Sequence, residues 1–230
     1  MRWFLLVTVV ALAACAGRFA YYDAAVPHRA RAEGFRNTDP NFRRPSTSDF
    51  WTWKWQQQRD GVPRRPEGGW QFASVRTDVR QAANPSVTWI GHATVLLRVG
   101  GLSILTDPMF SERASPVSFA GPRRVVAATP SIDALPHIDA VVISHNHYDH
   151  LDLESVKRLA AQPGGSPRFF VPLGLKAWFA EQGITEVDEM DWWEKRDYKG
   201  VAIHFTPVQH WSQRTLWDQD RKSTRLNSSH

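Results

Sequence analysis

Apolar and polar positions along this chain fall into short blocks that switch between strand-like alternation and helical spacing. Ala93 to Val99 and Leu102 to Thr106 are apolar runs flanking Gly100-Gly101, which predicts two strands joined by a hairpin-type turn. The run Ile138-Asp139-Ala140-Val141-Val142-Ile143-Ser144 is rich in β-branched residues and predicts a buried strand. Beyond it, Leu153, Val156, Leu159 and Ala160 share one helical face behind Asp152, a plausible N-cap, and Pro163-Gly164-Gly165 ends the pattern. Arg168 to Val171 predicts a strand, Leu173 to Gln182 a helix stopped by Gly183, and Val201 to Pro207 a further strand. Strands alternating with helices predict a layered α/β architecture.

The first part of the chain reads differently. Residues 16 to about 85 are rich in Arg, Pro and Trp and carry weak periodicity, which predicts an extended N-terminal arm packed on the domain. Trp51, Trp53 and Trp55 alternate as a strand face would, with core or edge packing the expected role and a lipid interface the alternative. Arg2 precedes an apolar run from Trp3 to Ala14, too short for a bilayer span of about 20 residues. It reads as a signal peptide. Leu12-Ala13-Ala14-Cys15 resembles a bacterial lipobox, so the sole cysteine, Cys15, is expected to be lipidated. That predicts a bacterial cell-envelope protein held at the membrane by a lipid anchor. With Ala16 rather than aspartate next in line, the expected place is the outer membrane, facing the periplasm.

Composition adds bounds. The 230 residues, 42% of them hydrophobic, suit one domain with its own core. A single cysteine excludes an internal disulfide scaffold. The formal charge of +5 includes Arg221, Lys222 and Arg225 near the C-terminus, and what remains gives no nucleic-acid signal.

Chemistry concentrates after the Ile138 strand. His145-Asn146-His147-Tyr148-Asp149-His150 offers four potential metal ligands within six residues, delivered by a strand end that gives them a rigid base. His145 and His147, two apart, can point the same way in extended backbone, while Asp149 and His150 follow where the chain turns toward a helix. Imidazole and carboxylate suit zinc, which in a catalytic site lowers the pKa of a bound water to about 7. His210, just past another strand, is a third imidazole candidate, whereas His204 inside that strand reads as packed or surface-exposed.

The string HNHYDHLD, residues 145 to 152, resembles the metal loop of the metallo-β-lactamase superfamily. Further blocks follow in order: Trp89-Ile90-Gly91-His92-Ala93-Thr94, Leu105-Thr106-Asp107-Pro108, Ser115-Pro116 with Gly121-Pro122, Val171-Pro172-Leu173-Gly174, Asp191-Trp192-Trp193-Glu194 and Gln209-His210-Trp211-Ser212. Together they are similar to the N-acylphosphatidylethanolamine-hydrolysing phospholipase D group over residues 86 to 219.

The resemblance implies an αββα sandwich and a centre of two zinc ions about 3.5 to 4 Å apart. His145, His147 and His210 would bind one ion, Asp149 and His150 the other. Asp149 would also steer a metal-bound hydroxide onto the phosphorus of a phospholipid or other small phosphodiester. Asp107 would brace the ligand loop by hydrogen bonds, and His92 would line the pocket or serve the structure. A lactonase or other ester hydrolase, and a non-catalytic metal-binding surface lipoprotein or inactive fragment, are the alternatives. Residues 220–230, DRKSTRLNSSH, match the translation of a common sequencing adapter. The tail is therefore expected to be non-native, the C-terminal part of the domain to be missing with a bridging aspartate and a last histidine, and the truncated chain to lose activity.

Overall fold

The computed structural model describes residues 21–29, 35–39, 41–43, 45–62, 72, 78–126, 130–210 and 214. The signal-peptide, lipobox and tail expectations, Cys15 included, lie outside the described residues.

Six strands form one sheet in chain order: β1 (Ser86–Gly91), β2 (Thr94–Val99), β3 (Leu102–Thr106), β4 (Ala140–Val142), β5 (Arg168–Pro172) and β6 (Val187–Met190). The first three pair antiparallel as a meander, and β3 through β6 pair parallel. A second, two-stranded sheet joins β7 (Lys195–Tyr198) to β8 (Val201–His204). Three α-helices are present among the described residues, α1 (Thr47–Arg59), α2 (Leu153–Ala160) and α3 (Lys176–Glu181).

Alternation along the central strands sorts their side chains onto two faces. Leu105, Val141, Phe169 and Val171 enter one core with Val156 and Leu159 of α2 and Phe179 of α3. Leu102, Ile104, Ala140, Val142 and Phe170 enter a second core with Ile203 of β8 and Phe205 just beyond it. Both faces of the parallel region are therefore covered, which accounts for the near-continuous apolar runs that made β3, β4 and β5 readable. Helices, a mixed sheet and a second sheet lie in successive layers, the layered α/β architecture that the alternating elements predict. Fully burying Phe169 or Phe170 stabilises the layers by about 1.5–3 kcal/mol each. At the β2–β3 turn, Gly100 has φ +58°, and a Cβ there would lie 2.7 Å from Val201 Cγ2. The turn thus fits under β8 only because it carries no side chain.

Several expectations shift. Trp51, Trp53 and Trp55 lie on α1 and not on a strand, and α1 buries no residue. Local chemistry decides it: the Ser46 hydroxyl accepts from the Asp49 N–H at 3.1 Å, and the Asp49 carboxylate accepts from the Ser46 N–H at 2.7 Å. This reciprocal capping box, worth about 1 kcal/mol, starts a helix whatever the alternation of the tryptophans suggests. Trp51 and Trp55, four apart, then share a face and remain 64% and 61% exposed. Asp152 stands at the N-cap of α2 but makes no side-chain capping bond. Its carboxylate instead accepts from the Ser111 N–H at 3.1 Å and the Ser111 hydroxyl at 2.8 Å. The helix predicted from Leu173 begins only at Lys176. His204 is exposed.

Residues 21–29 lie against the end of β6. Tyr21 donates to Glu189 at 3.0 Å, His28 bonds Asp191 at 2.7 Å, and the His28 ring stacks on Trp192 with centroids 4.4 Å apart. Burial, reinforced by Glu189, pushes the Tyr21 phenol up to about 12.

Candidate metal centre

Because β3, β4 and β5 run the same way, their C-terminal ends release loops along one edge, where open α/β sheets place ligands. Asp107 leaves β3 and Ser144 leaves β4 there. Asp107 has φ 35°, a left-handed conformation that costs about 1–3 kcal/mol for a residue with a side chain. It is pinned: its N–H donates to Val142 O at 2.9 Å, and its carbonyl accepts from the Thr94 hydroxyl at 2.8 Å. Its buried carboxylate accepts from the Ser144 N–H and hydroxyl, both at 2.7 Å, and meets His150 Nδ1 at 2.9 Å. Asp107 therefore ties the strand exit to the ligand turn, occupying Nδ1 of His150 and leaving Nε2 as its outward donor.

Ser144 adds a second tie. Its hydroxyl lies 2.9 Å from His145 Nδ1 and 3.3 Å from His150 Nδ1. The Ser144–Asp107 pair thus orients two imidazoles at once. Sequence reasoning passed over Ser144, although its place directly before the first histidine of the HNHYDH run was the available signal.

His145, His147 and His210 come together. His145 Nε2 and His147 Nδ1 are 2.9 Å apart, and the His210 ring centroid lies 4.7 Å and 5.1 Å from those of His145 and His147. His92, Asp149 and His150 form a second group, with His92 Nε2 at 2.9 Å from Asp149 Oδ2 and His150 Nε2 at 3.6 Å from the same oxygen. Within each group one donor atom per residue lies within 4.8 Å of the others. Tetrahedral zinc holds nitrogen and oxygen at about 2.0–2.2 Å, so donors spaced this way need only close in slightly around an ion. Three imidazoles, and a carboxylate with an imidazole, are suitable donors for a divalent metal, with His92 bonded to the carboxylate of the second group. The groups adjoin, since the His145 and His150 rings are 4.1 Å apart. All five residues proposed as ligands from the sequence therefore meet at one place.

His92 sits closer to the chemistry than a pocket lining requires. It occupies the β1–β2 connection with φ 53°, and its carbonyl accepts from the Trp89 indole at 2.9 Å. That fixes the strained turn and sets the imidazole against Asp149, 57 positions away in sequence.

His147 and His210 of the first group and all three residues of the second line a cavity of about 960 Å³ whose other walls include Trp89, Met109, Val125 and Val126. Arg124 is also in the wall, but its guanidinium donates to backbone carbonyls of Met109, Ser111 and Val126. Burial depresses its pKa below the ordinary arginine value. Its charge shapes the wall more than it reaches into the cavity.

Fold and donor groups together define a class, and residues 103–229 match the family model described as a beta-lactamase superfamily domain. The chain belongs to the metallo-β-lactamase superfamily. More narrowly, it is 42% identical over 144 residues to the N-acyl-phosphatidylethanolamine-hydrolyzing phospholipase D 1 of Caenorhabditis elegans, covering 59% of this chain and 40% of that protein. It is 37% identical over 138 residues to the mitochondrial N-acyl-phosphatidylethanolamine-hydrolyzing phospholipase D of Saccharomyces cerevisiae, covering 58% and 29%. A metal-dependent hydrolase of Pyrobaculum arsenaticum is 34% identical over 131 residues, covering 56% and 52%. The chain thus spans about half or less of the length of these relatives. The group likeness seen in the sequence blocks and the α/β fold are both supported.

Proposed function

We propose that the chain carries metal-binding residues of a zinc-dependent phosphodiesterase of phospholipase D type, acting on N-acylphosphatidylethanolamine-like phospholipids. The observation behind this reading is the pairing of two adjoining donor groups with a largely apolar cavity of about 960 Å³. A phospholipid presents a charged diester and long acyl chains, and these require just such a division between polar floor and apolar walls.

His145, His147 and His210 would hold one zinc, and Asp149 with His150 the second. Zinc at these positions would supply Lewis-acid stabilisation of phosphoryl oxygens and lower the pKa of a bound water to about 7. Asp149, fixed by His92, would orient the water that attacks phosphorus. Asp107 and Ser144 would keep His145 and His150 turned toward the centre. Trp89, Val125 and Val126 would shield the acyl portion from solvent. Attack at phosphorus with departure of the ethanolamine oxygen would release an N-acylethanolamine and a phosphatidate. We place the protein in the bacterial envelope, tethered through Cys15, on the strength of the lipobox-like Leu12-Ala13-Ala14-Cys15.

The test offers the full-length, zinc-loaded protein vesicles containing N-acylphosphatidylethanolamine and, separately, a sugar lactone, with products read by mass spectrometry. Release of N-acylethanolamine is expected. Lactone opening without phosphodiester cleavage would favour an ester hydrolase instead, and no turnover of either substrate by a metal-loaded protein would favour a binding role. Replacing Cys15 by Ser should move the protein from the membrane fraction to the soluble fraction, and unchanged fractionation would sink the tether.

A further inference from the structure

Arg214 belongs to neither donor group, yet it touches the turn that supplies most of the donors. We propose that Arg214 is a positioning residue: it buckles the segment carrying His210 onto the ligand turn and so sets the metal affinity of the His145, His147 and His210 group. The inference rests on the metal-centre reading given above.

The Nη1 of Arg214 donates to Asn146 O at 3.1 Å and to Leu151 O at 2.7 Å. Those two carbonyls stand at either end of the turn that contains His147, Asp149 and His150. Inside the turn, His150 N and Leu151 N both donate to His147 O, at 3.0 and 2.8 Å. One cationic nitrogen thus closes from outside a loop that the backbone closes from inside, and bonds from a charged donor are stronger than neutral ones. The guanidinium carbon also lies 4.1 Å from the Tyr148 ring centroid and 5.1 Å from that of Trp178. Trp178 packs on the main core, so the buckle is anchored to the scaffold as well as to the turn.

Position in the chain completes the argument. Arg214 follows His210 by four residues, whereas His145 and His147 arrive just after β4, more than 60 positions earlier. Three imidazoles from two distant segments can converge on one ion only if the segments are held in register. The Arg214 contacts supply such a hold, and Leu151, one of its acceptors, is fully buried and will not drift. Lysine would keep the charge, but a compact ammonium lacks the planar guanidinium face that lies by Tyr148 and Trp178 while one nitrogen bonds both carbonyls.

The experiment compares the full-length parent protein with R214K and R214A. Each metal-free protein is titrated with cobalt(II), a spectroscopic stand-in for zinc, and melted with and without metal. The expected result is cobalt affinity about 10- to 100-fold weaker in both variants, the usual cost of removing an outer partner of a metal ligand. The metal-induced rise in melting temperature should shrink while the metal-free melting temperature changes much less. Cobalt affinity and absorption matching the parent in both variants would overturn the inference. So would equal losses of melting temperature with and without metal, which would mark Arg214 as a clamp of the fold alone. Should R214A fail to fold, R214K decides by the same readouts. A parent protein that takes up no cobalt would instead overturn the metal-centre reading, and this inference with it.

Discussion

In the group of His145, His147 and His210, His145 is only 5% exposed and the other two are half-buried, whereas His92 and Asp149 meet at the mouth with side chains 48% and 38% exposed. The sheltered group is all imidazole and draws on two segments far apart in the chain. The open group includes a carboxylate, and its members are held by outer partners: His150 by Asp107, Asp149 by His92. Shelter and exposure suit different tasks. A covered three-imidazole group favours retention of an ion, while an open group with a carboxylate stays accessible to water and substrate.

The contrast can be broken most sharply at His147. H147A should weaken metal binding at the sheltered group by more than about 100-fold, beyond the cost of losing an outer partner. The measurement is zinc content after dialysis, and one ion per protein should be lost while the open group retains some affinity. Retention of full zinc content would mean the sheltered group is not a binding site.

Next in size is D107A. It removes the acceptor of both Ser144 bonds and the partner of His150, so the open group should lose about 10- to 100-fold in affinity. Because Ser144 also contacts His145, a smaller loss is expected at the sheltered group. Isothermal titration with zinc separates the two phases, and equal losses at both would erase the distinction drawn here.

H92A should act on the open group alone, lowering its affinity by about tenfold, the lower end of the outer-partner range. Relief of the left-handed residue is a separate matter, so H92G serves as the control: it removes the imidazole and the strain together. An unchanged second phase in both variants would reduce His92 to a pocket wall.

The smallest effect lies in the scaffold and should leave the two groups equally affected. Hydrogen bonds from Arg168 hold the Asp188 carboxyl below its ordinary range, against the opposing effect of burial. A carboxyl with a depressed folded-state pKa contributes stability above its unfolded pKa of about 3.9, and that contribution fades as pH falls toward the folded value. Thermal melts between pH 6 and pH 2 should therefore show a smaller acid loss in D188N than in the parent. The difference should stay under about 1 kcal/mol, since the pair is partly exposed.

How much could be read in advance depended on where each residue finds its partners. The strands β2, β3 and β5 and the helix α2 were legible because their apolar spacing is set by cores on known faces. In contrast, β6 and β7, with Val187-Asp188-Glu189-Met190 and Lys195-Arg196-Asp197-Tyr198, carry polar residues at half or more of their positions. They become strands by pairing with β5 and β8, and no local period announces that. The tryptophans of α1 misled for the opposite reason, because a strong local cap overrode an apparent alternation. Four of the five proposed ligands were legible because they lie within six residues. Ser144 and Arg214 were not, since they act through side-chain and backbone contacts that follow no spacing rule. His92 was visible as a residue but not as the neighbour of Asp149.

The pairing of β3 with β4 matches Thr106 with Val142. Each strand runs on directly into the site, one to Asp107 and the other to Ser144 and the ligand turn. A slip of one position would therefore do more than turn Val141 and Val142 to the wrong faces. It would also carry Ser144 away from the Asp107 carboxylate and leave that buried charge without its donors. Misalignment of the sheet is thus penalised twice, once by packing and once by electrostatics. The centre acts as a proofreading device for the scaffold that builds it.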